Sequence, residues 1–301
     1  MRRAVSVRAP AKVNLLLRVL GRRTDGFHEL ETLFQAIDFS DELTVELAGD
    51  SVQLDVVGAD VGSAMDDLGP VADNLAFRAA EAYRLAADLR SGVQVLLSKN
   101  IPAGAGLGGG SSDAAAVLRA LNHLTHGAVG AETLLAIGAD LGSDVPFFMC
   151  GSTLALARGR GDELTTLRSL PSVEVVLVCP PVHIATGPAY AALAGRRAST
   201  GLPPRAPLER MPSDWDMVDE ISANDFEALV ADEHPEVRRA LASLREAGLR
   251  SVALSGSGGA CFGLATGASP ASSTAQRLGE ELGWRVLVTS TLGEPPLVSP
   301  L

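Results

Sequence analysis

The chain has 301 residues, 47% hydrophobic and 20% charged, which supplies a core and enough length for about two domains. Its net charge of −11 argues against a sequence-independent nucleic-acid binder, but leaves room for a locally positive pocket that takes a small anionic molecule. Cys150, Cys179 and Cys261 are far apart and form no C-x-x-C pair, so buried thiols in a reducing compartment are expected rather than a disulfide framework. MRRAVSVRAP lacks the apolar stretch of a signal peptide, and no apolar run approaches the ~20 residues that span a bilayer. A cytoplasmic protein with no membrane and no nucleic-acid partner is the expectation, as a monomer or weak homodimer.

In chain order, the first stretch reads as β. AVSVRAPAKVNLLLRVLG holds two short runs broken at Pro10, and TLFQAIDF, ELTVEL and VQLDVV follow. Asp73 to Leu89 reads as a helix that Asp73 can cap. GVQVLLSK is a strand ending at Lys99. A glycine-rich loop comes next, then a helix from Ser112 and a second from Glu132 to Leu141. GSDVPFF stops that second helix, because the residue before Pro146 is pushed out of the α region.

TLALA and VEVVLVCPP return to β, and Gly195 to Pro212 reads as a loop. ANDFEALV and PEVRRALASLREAG read as helices, SVALSGSGGACFGLA as strand, tight turn and strand, TAQRLGEELG as a helix and WRVLVTST as a last strand. There is no internal repeat. The pattern is α+β in two parts, 1–160 and 161–301, the second with helices packed on a small antiparallel sheet.

PAGAGLGGGSSDAAAVLRALNHL, from Pro102 to Leu124, concentrates glycine immediately before a helix. Glycine is costly to order, and such a density suits backbone N–H groups converging on an anion at a helix N-terminus. Gly104, Gly106 and Gly109 fit G-x-G-x-x-G, but a second helix follows where a dinucleotide-binding turn requires a strand. No Gly-Lys pair supports a Walker A loop, and protein-kinase H-R-D and D-F-G elements are absent. Ser111 and Ser112 can cap the helix or donate to a phosphate, and Ser112 could approach Mg²⁺. Asp113 either holds metal or complements the helix dipole. His123 and His126 stand three apart without other ligands nearby in sequence, so no metal site is expected there.

P-x-x-x-G-L-G-G-G-S-S-x-A-A, as it stands from Pro102 to Ala115, resembles the ATP loop of the GHMP kinase superfamily. APAKVNLLLRVLGRRTDGFHELET, LGSDVPFF and SGSGGACF extend the likeness from residue 9 to about 263. The resemblance implies a ribosomal protein S5 domain 2-like N-terminal domain, a ferredoxin-like C-terminal one, and transfer of a phosphoryl group from ATP, with Mg²⁺, to a small-molecule alcohol. The first of these segments is similar to superfamily members whose alcohol carries cytidine diphosphate. ATP would then lie on Pro102, Ala103, Gly104, Ala105, Gly106, Leu107, Gly108, Gly109, Gly110, Ser111 and Ser112, with Asn74 and Lys99 near adenine or its ribose.

Asp144, among apolar neighbours, is the implied base, although it could merely cap the Pro146 turn. Lys12 is either snorkelling at a strand edge or, as the likeness implies, held near Asp144. Asn14 shares its strand face, and could bond the substrate or mark a bulge. Phe27 and His28 become a stacking plate and a reader of the pyrimidine edge, with Tyr190 as opposing plate and Thr186 as a polar contact. The family usually has Tyr where this chain has Phe27. Gly256 and Gly258 could pass close to a diphosphate or form a tight hairpin. Arg158 and Arg160 receive no role. Two rival readings keep part of this: a homoserine, mevalonate or sugar kinase on the same fold, and a nucleotide-binding module without catalysis. Phe27 and His28 speak against the first, Lys12 with Asp144 against the second.

Overall fold

The computed structural model describes residues 4–58, 70–201, 203–265 and 270–301. Two long strands, β1 (Ala4–Arg22) and β2 (His28–Leu47), form an antiparallel pair at the centre of the first sheet. The sheet runs β12 (Val298–Pro300), β1, β2, β4 (Val93–Ser98), β3 (Val52–Val57); β5 (Leu154–Arg158) lies on β2, β6 (Glu163–Thr166) on β5 and β8 (Ala223–Asn224) on β1. Helices α1 (Leu75–Ala86), α2 (Gly109–Leu124), α3 (Ala131–Leu141) and α4 (Val145–Met149) pack with it around Phe34, Val45, Tyr83, Leu118 and Phe147.

The second sheet has the order β11 (Arg285–Ser290), β7 (Glu174–Cys179), β10 (Cys261–Ala265), β9 (Arg250–Leu254), antiparallel throughout. Around it lie α5 (Thr186–Thr200), α6 (Trp215–Ile221), α7 (Glu227–Glu233), α8 (Pro235–Glu246) and α9 (Ala271–Leu282). The run VEVVLVC is apolar at successive positions because β7 is covered on both faces. Val176 and Val178 join the helices of the second part, whereas Val175 and Leu177 join a core shared with the first sheet. No helix among the described residues is long and apolar enough to cross a membrane.

One irregularity in β1 matters for the site. Val5, Val7 and Ala9 belong to the helix-side core, while Ala11, Val13 and Leu15 belong to the core between the sheets. The pairing register with β2 shifts between Pro10 and Ala11. Pro10 faces Ser40 and Ala11 faces Ile37, so Asp38 and Phe39 of β2 bulge out of the pairing; past this point the odd positions pack toward the second sheet and Lys12 and Asn14 line the cavity.

Several expected boundaries are corrected. Asn74, not Asp73, caps α1: its Oδ1 accepts from Ala76 N at 2.9 Å. Helix α2 starts at Gly109 rather than Ser112, directly after Gly108 in the left-handed region (φ 72°), and no side chain caps it. Pro146 opens α4 from its first turn, where a missing N–H costs nothing, instead of only ending the preceding helix. The expected loop from Gly195 is helical to Thr200, since AALAGRR is rich in helix formers; Gly201 (φ 66°) ends it. Leu202, inside that expected loop, lies outside the described residues. The division at 160/161 cuts the β5–β6 hairpin, and β12 and β8 return from the second half to pair with β1. The first sheet is therefore not built from residues 1–160 alone.

Candidate active site

A cavity of about 860 Å³ opens where the glycine loop, β1, β2 and the 255–258 turn meet. At its floor stands Lys12, only 3% exposed. Its Nζ donates to Asn14 Oδ1 at 2.7 Å and to Gly106 O at 2.8 Å, and lies 3.6 Å from Asp144 Oδ2. Asn14 in turn donates through Nδ2 to Thr32 Oγ1 at 2.7 Å, and Thr32 donates to Leu16 O. This chain fixes the amide so that its oxygen faces the ammonium. Burial pulls Lys12 below the ordinary lysine range, and the Asp144 carboxylate opposes that pull. The arrangement places an acceptor, a cation and a hydrogen-bonding amide within reach of one small volume.

The glycine loop is stitched to both halves of the molecule. Leu107 O accepts from Lys12 N at 2.9 Å, and Ala105 O accepts from Ala260 N at 3.0 Å. Gly106 O also accepts from Ser255 Oγ at 2.9 Å. Gly106 has φ 79°, and a Cβ there would stand 2.0 Å from Ser255 O; one on Gly258 would stand 2.3 Å from Gly106 N. These two glycines exist so that two backbones can touch. The first i to i−4 bond of α2 is Ser112 N to Gly108 O, at 2.9 Å. The N–H groups of Gly109, Gly110 and Ser111 precede it and are free of intrahelical partners, which suits an anion.

Behind the loop sits a charged cluster that the sequence reading missed. Asp41 is fully buried, accepts from Asn100 N at 2.6 Å and Ile101 N at 2.8 Å, and pairs with Lys99. Lys99 also donates to Asp113 Oδ2 at 2.8 Å. Burial lowers Lys99, but Asp113 and Asp41 more than reverse this and hold it above the usual lysine range. Burial above all pushes Asp113 up to about 7, with Lys99 opposing and Asp41 adding to the rise. Asp113 is thus neither a simple dipole complement nor exposed: its Oδ1 is buried without a partner among the described residues. Asp41 gave no signal in the sequence, because one acidic residue in a β run is indistinguishable from a solvated one.

At the other end of the cavity lie the rings. His28 and Tyr190 have centroids 4.9 Å apart at 32°, and Tyr190 meets Phe226 edge-on at 4.7 Å. Phe27 is 53% exposed and lies under the guanidinium of Arg160 at 5.0 Å. Tyr190 therefore packs between His28 and Phe226, at the same end of the cavity as Phe27. Burial first, then Arg22 and Arg197, hold His28 below its ordinary value, so the ring is neutral at pH 7 and offers one donor and one acceptor. Burial likewise raises the Tyr190 phenol, so it stays protonated and can donate.

Most expected residues share this one cavity. Lys12, Asn14, Asp144, Phe27, His28, Thr186, Tyr190 and Gly256 line it, as do Asn74, Lys99 and the loop from Pro102 to Ser111. Two do not. Gly258 packs on the backbone of Ala105 and Gly106, because the turn it belongs to braces the loop. Ser112 faces inward from α2, 1% exposed, with its Oγ lacking any partner among the described residues. Arg160, given no role by sequence, joins the lining.

Models of the GHMP kinases N terminal domain and of the GHMP kinases C terminal match residues 74–152 and 206–283. A 4-diphosphocytidyl-2-C-methyl-D-erythritol kinase of Citrifermentans bemidjiense is 39% identical over 284 residues, covering 94% of this chain and 98% of its own. One from Thermus thermophilus is 41% identical over 291 residues, covering 95% of each. A crystal structure of 4-(cytidine 5'-diphospho)-2C-methyl-D-erythritol kinase superposes with a TM-score of 0.76 at 38% identity, over 95% of this chain and 98% of that one. Homoserine kinase from Cytophaga hutchinsonii, at 20% identity and a TM-score of 0.70 over 98% and 97% of the two chains, shares the fold. With both halves of the α+β architecture matched and full-length relatives near two-fifths identity, the chain belongs to the GHMP kinase family, among the 4-diphosphocytidyl-2-C-methyl-D-erythritol kinases.

Proposed function

We propose that the protein transfers the γ-phosphoryl group of ATP to the 2-hydroxyl of 4-diphosphocytidyl-2-C-methyl-D-erythritol, a step of the non-mevalonate route to isoprenoid precursors, in the cytoplasm. The observation that carries this reading is the joining, in one cavity, of the Lys12–Asp144 pair beside the glycine loop with the ring group of Phe27, His28 and Tyr190. A small alcohol without a base gives those rings nothing to stack.

Phosphoryl transfer asks for positioning, charge neutralisation and a proton acceptor. Asp144 takes the hydroxyl proton of the substrate. Lys12 keeps that carboxylate ionised and draws electron density from the attacking oxygen, while Asn14 orients the ammonium. The amides of Gly109, Gly110 and Ser111 at the start of α2 hold phosphate oxygens, and Asn74 and Lys99 border the nucleoside end. Neutral His28 exchanges hydrogen bonds with the pyrimidine edge. Thr186, whose Oγ1 accepts from Ser257 Oγ at 3.3 Å, and Gly256 border the diphosphate.

Mg²⁺ fits the loop. Asp113 Oδ1 is a buried oxygen with no partner among the described residues, on a residue that lines the cavity, and carboxylate and phosphate oxygens are donors this ion prefers, whereas Ser112, expected to approach the ion, stands off the cavity. Asp113 would hold it together with the ATP phosphates, where it would supply charge neutralisation. ATP consumption with Mg²⁺ tests the whole reading against a panel of the cytidine compound, methylerythritol phosphate, homoserine and mevalonate, with product identified by phosphorus NMR. Turnover of the cytidine compound alone supports it. Turnover of homoserine or mevalonate instead would remove the cytosine pocket and leave a kinase of another alcohol.

A further inference from the structure

Arg160 sits on the turn between β5 and β6, between Gly159 (φ 66°) and Gly161 (φ 98°). The turn is tied to the start of β2: Leu30 N donates to Gly159 O at 2.8 Å. Asp162 accepts from Arg160 N at 3.2 Å through Oδ1, and from Nε at 3.1 Å and Nη2 at 2.8 Å through Oδ2. Asp25, beside Phe27, is the other carboxylate that feels the guanidinium. The side of the guanidinium is thereby occupied, while Nη1 and the second hydrogen of Nη2 have no partner among the described residues, and Arg160 lines the cavity. The guanidinium carbon also lies over the Phe27 ring, 5.0 Å from its centroid. A ring sandwiched between the two would need about 7 Å, so a base meets Arg160 at its open edge rather than between guanidinium and Phe27.

We propose that Arg160 is a specificity-determining residue that reads the pyrimidine, donating through its open fork to two adjacent acceptors, with Asp162 as the positioning residue that aims it. Cytosine offers such a pair in O2 and N3. Uracil carries a hydrogen at N3 and would set donor against donor. A planar fork suits this task where a lysine would not. The proposal rests on the cytidine reading of the cavity and deepens it.

The test is calorimetric binding of cytidine diphosphate and uridine diphosphate to the whole protein, alongside turnover of the cytidine substrate. Wild type is expected to prefer the cytidine ligand. Arg160→Leu and Arg160→Lys are each expected to lower that preference about tenfold or more, with KM for ATP unchanged, and Asp162→Asn to lower it in part. Arg158→Leu, on the same turn but paired with Glu31 (3.0 Å) outside the cavity, is expected to leave it intact. Unaltered preference in both Arg160 variants, with only a lower melting temperature, would make Arg160 a brace of the turn and overturn the proposal. No preference in wild type, or a loss of ATP affinity instead, would overturn it as well. Preference that depends on Arg160 without turnover of the cytidine substrate would retain this inference and sink the kinase reading.

Discussion

Asp144 and Lys12 divide the chemistry between them, and their separate removal should be felt differently. Asp144→Asn keeps shape and hydrogen-bonding capacity but cannot accept the proton, so kcat is expected to fall by about 10²–10⁴-fold with ATP and substrate binding retained. Normal turnover in that variant would remove Asp144 as base. Lys12 must stay charged, and burial lowers its proton affinity. The alkaline limb of the kcat/KM profile should therefore fall at lower pH than an ordinary lysine would give. His28→Ala is expected to raise KM for the cytidine substrate far more than KM for ATP, and an effect on ATP alone would contradict its place at the ring end.

Asp113 gives a stability test at the same scale. Its folded value, about 7, stands above the ordinary carboxylate value of 3.8. Between those values the folded state binds more protons than the unfolded one, so stability is lost as pH rises through the window. Asp113→Asn should flatten that slope, which for one fully titrating group reaches about 1.4 kcal/mol per pH unit. Denaturant unfolding of both proteins across the window checks this, and equal slopes would contradict it. Asp113 was visible in the sequence as a first-turn acid. Its partner Asp41 was not, because only the fold brings the start of β4's exit loop under a strand laid down some sixty residues earlier.

The glycine loop is the element whose geometry decides most. Gly106 and Gly110 look alike in the sequence but stand in different surroundings. A Cβ on Gly106 meets a backbone carbonyl at 2.0 Å in a left-handed conformation, whereas one on Gly110 meets only Leu75 Cδ1, at 3.7 Å, inside α2. Gly106→Ala is expected to lose about 2 kcal/mol or more from strain and clash. Gly110→Ala is expected to be neutral or to gain up to about 1 kcal/mol, as helix propensity dictates. Thermal denaturation of the two variants compares them directly, and equal losses would mean that the loop does not press on the 255–258 turn. In the second half β7, β9, β10 and β11 and helices α7, α8 and α9 were legible from pattern alone, down to the turn between β9 and β10, whereas α5 and α6 were not. The start of α2 was misplaced because glycines read as loop even where helical hydrogen bonds hold them.

Across the whole molecule, the two parts share a core. Ala11, Val13, Leu15 and Leu33 from the first sheet pack with Val175, Leu177, Phe262 and Leu264 from the second. Residues 1–160 expressed alone would expose that surface and lack β6, β8 and β12, so no cooperative thermal transition is expected from them, and co-expression with 161–301 is expected to restore one. A cooperative melt of the fragment by itself would show that the shared core is dispensable.

The sequence by itself determined what contiguous residues can say: an α+β chain, a phosphate-type loop before a helix, and motifs close enough in pattern to name a superfamily. It could do so because consecutive backbone amides make a phosphate cradle, and because periodicity records which face of an element is buried. Tertiary structure alone decided the rest. It set Lys12 against Asp144, buried Asp41 beneath the loop, moved Gly258 from the cavity to its scaffold, and brought Arg160 over Phe27. Those are meetings between residues far apart in the chain, and no local pattern encodes which distant side chain arrives at a given face.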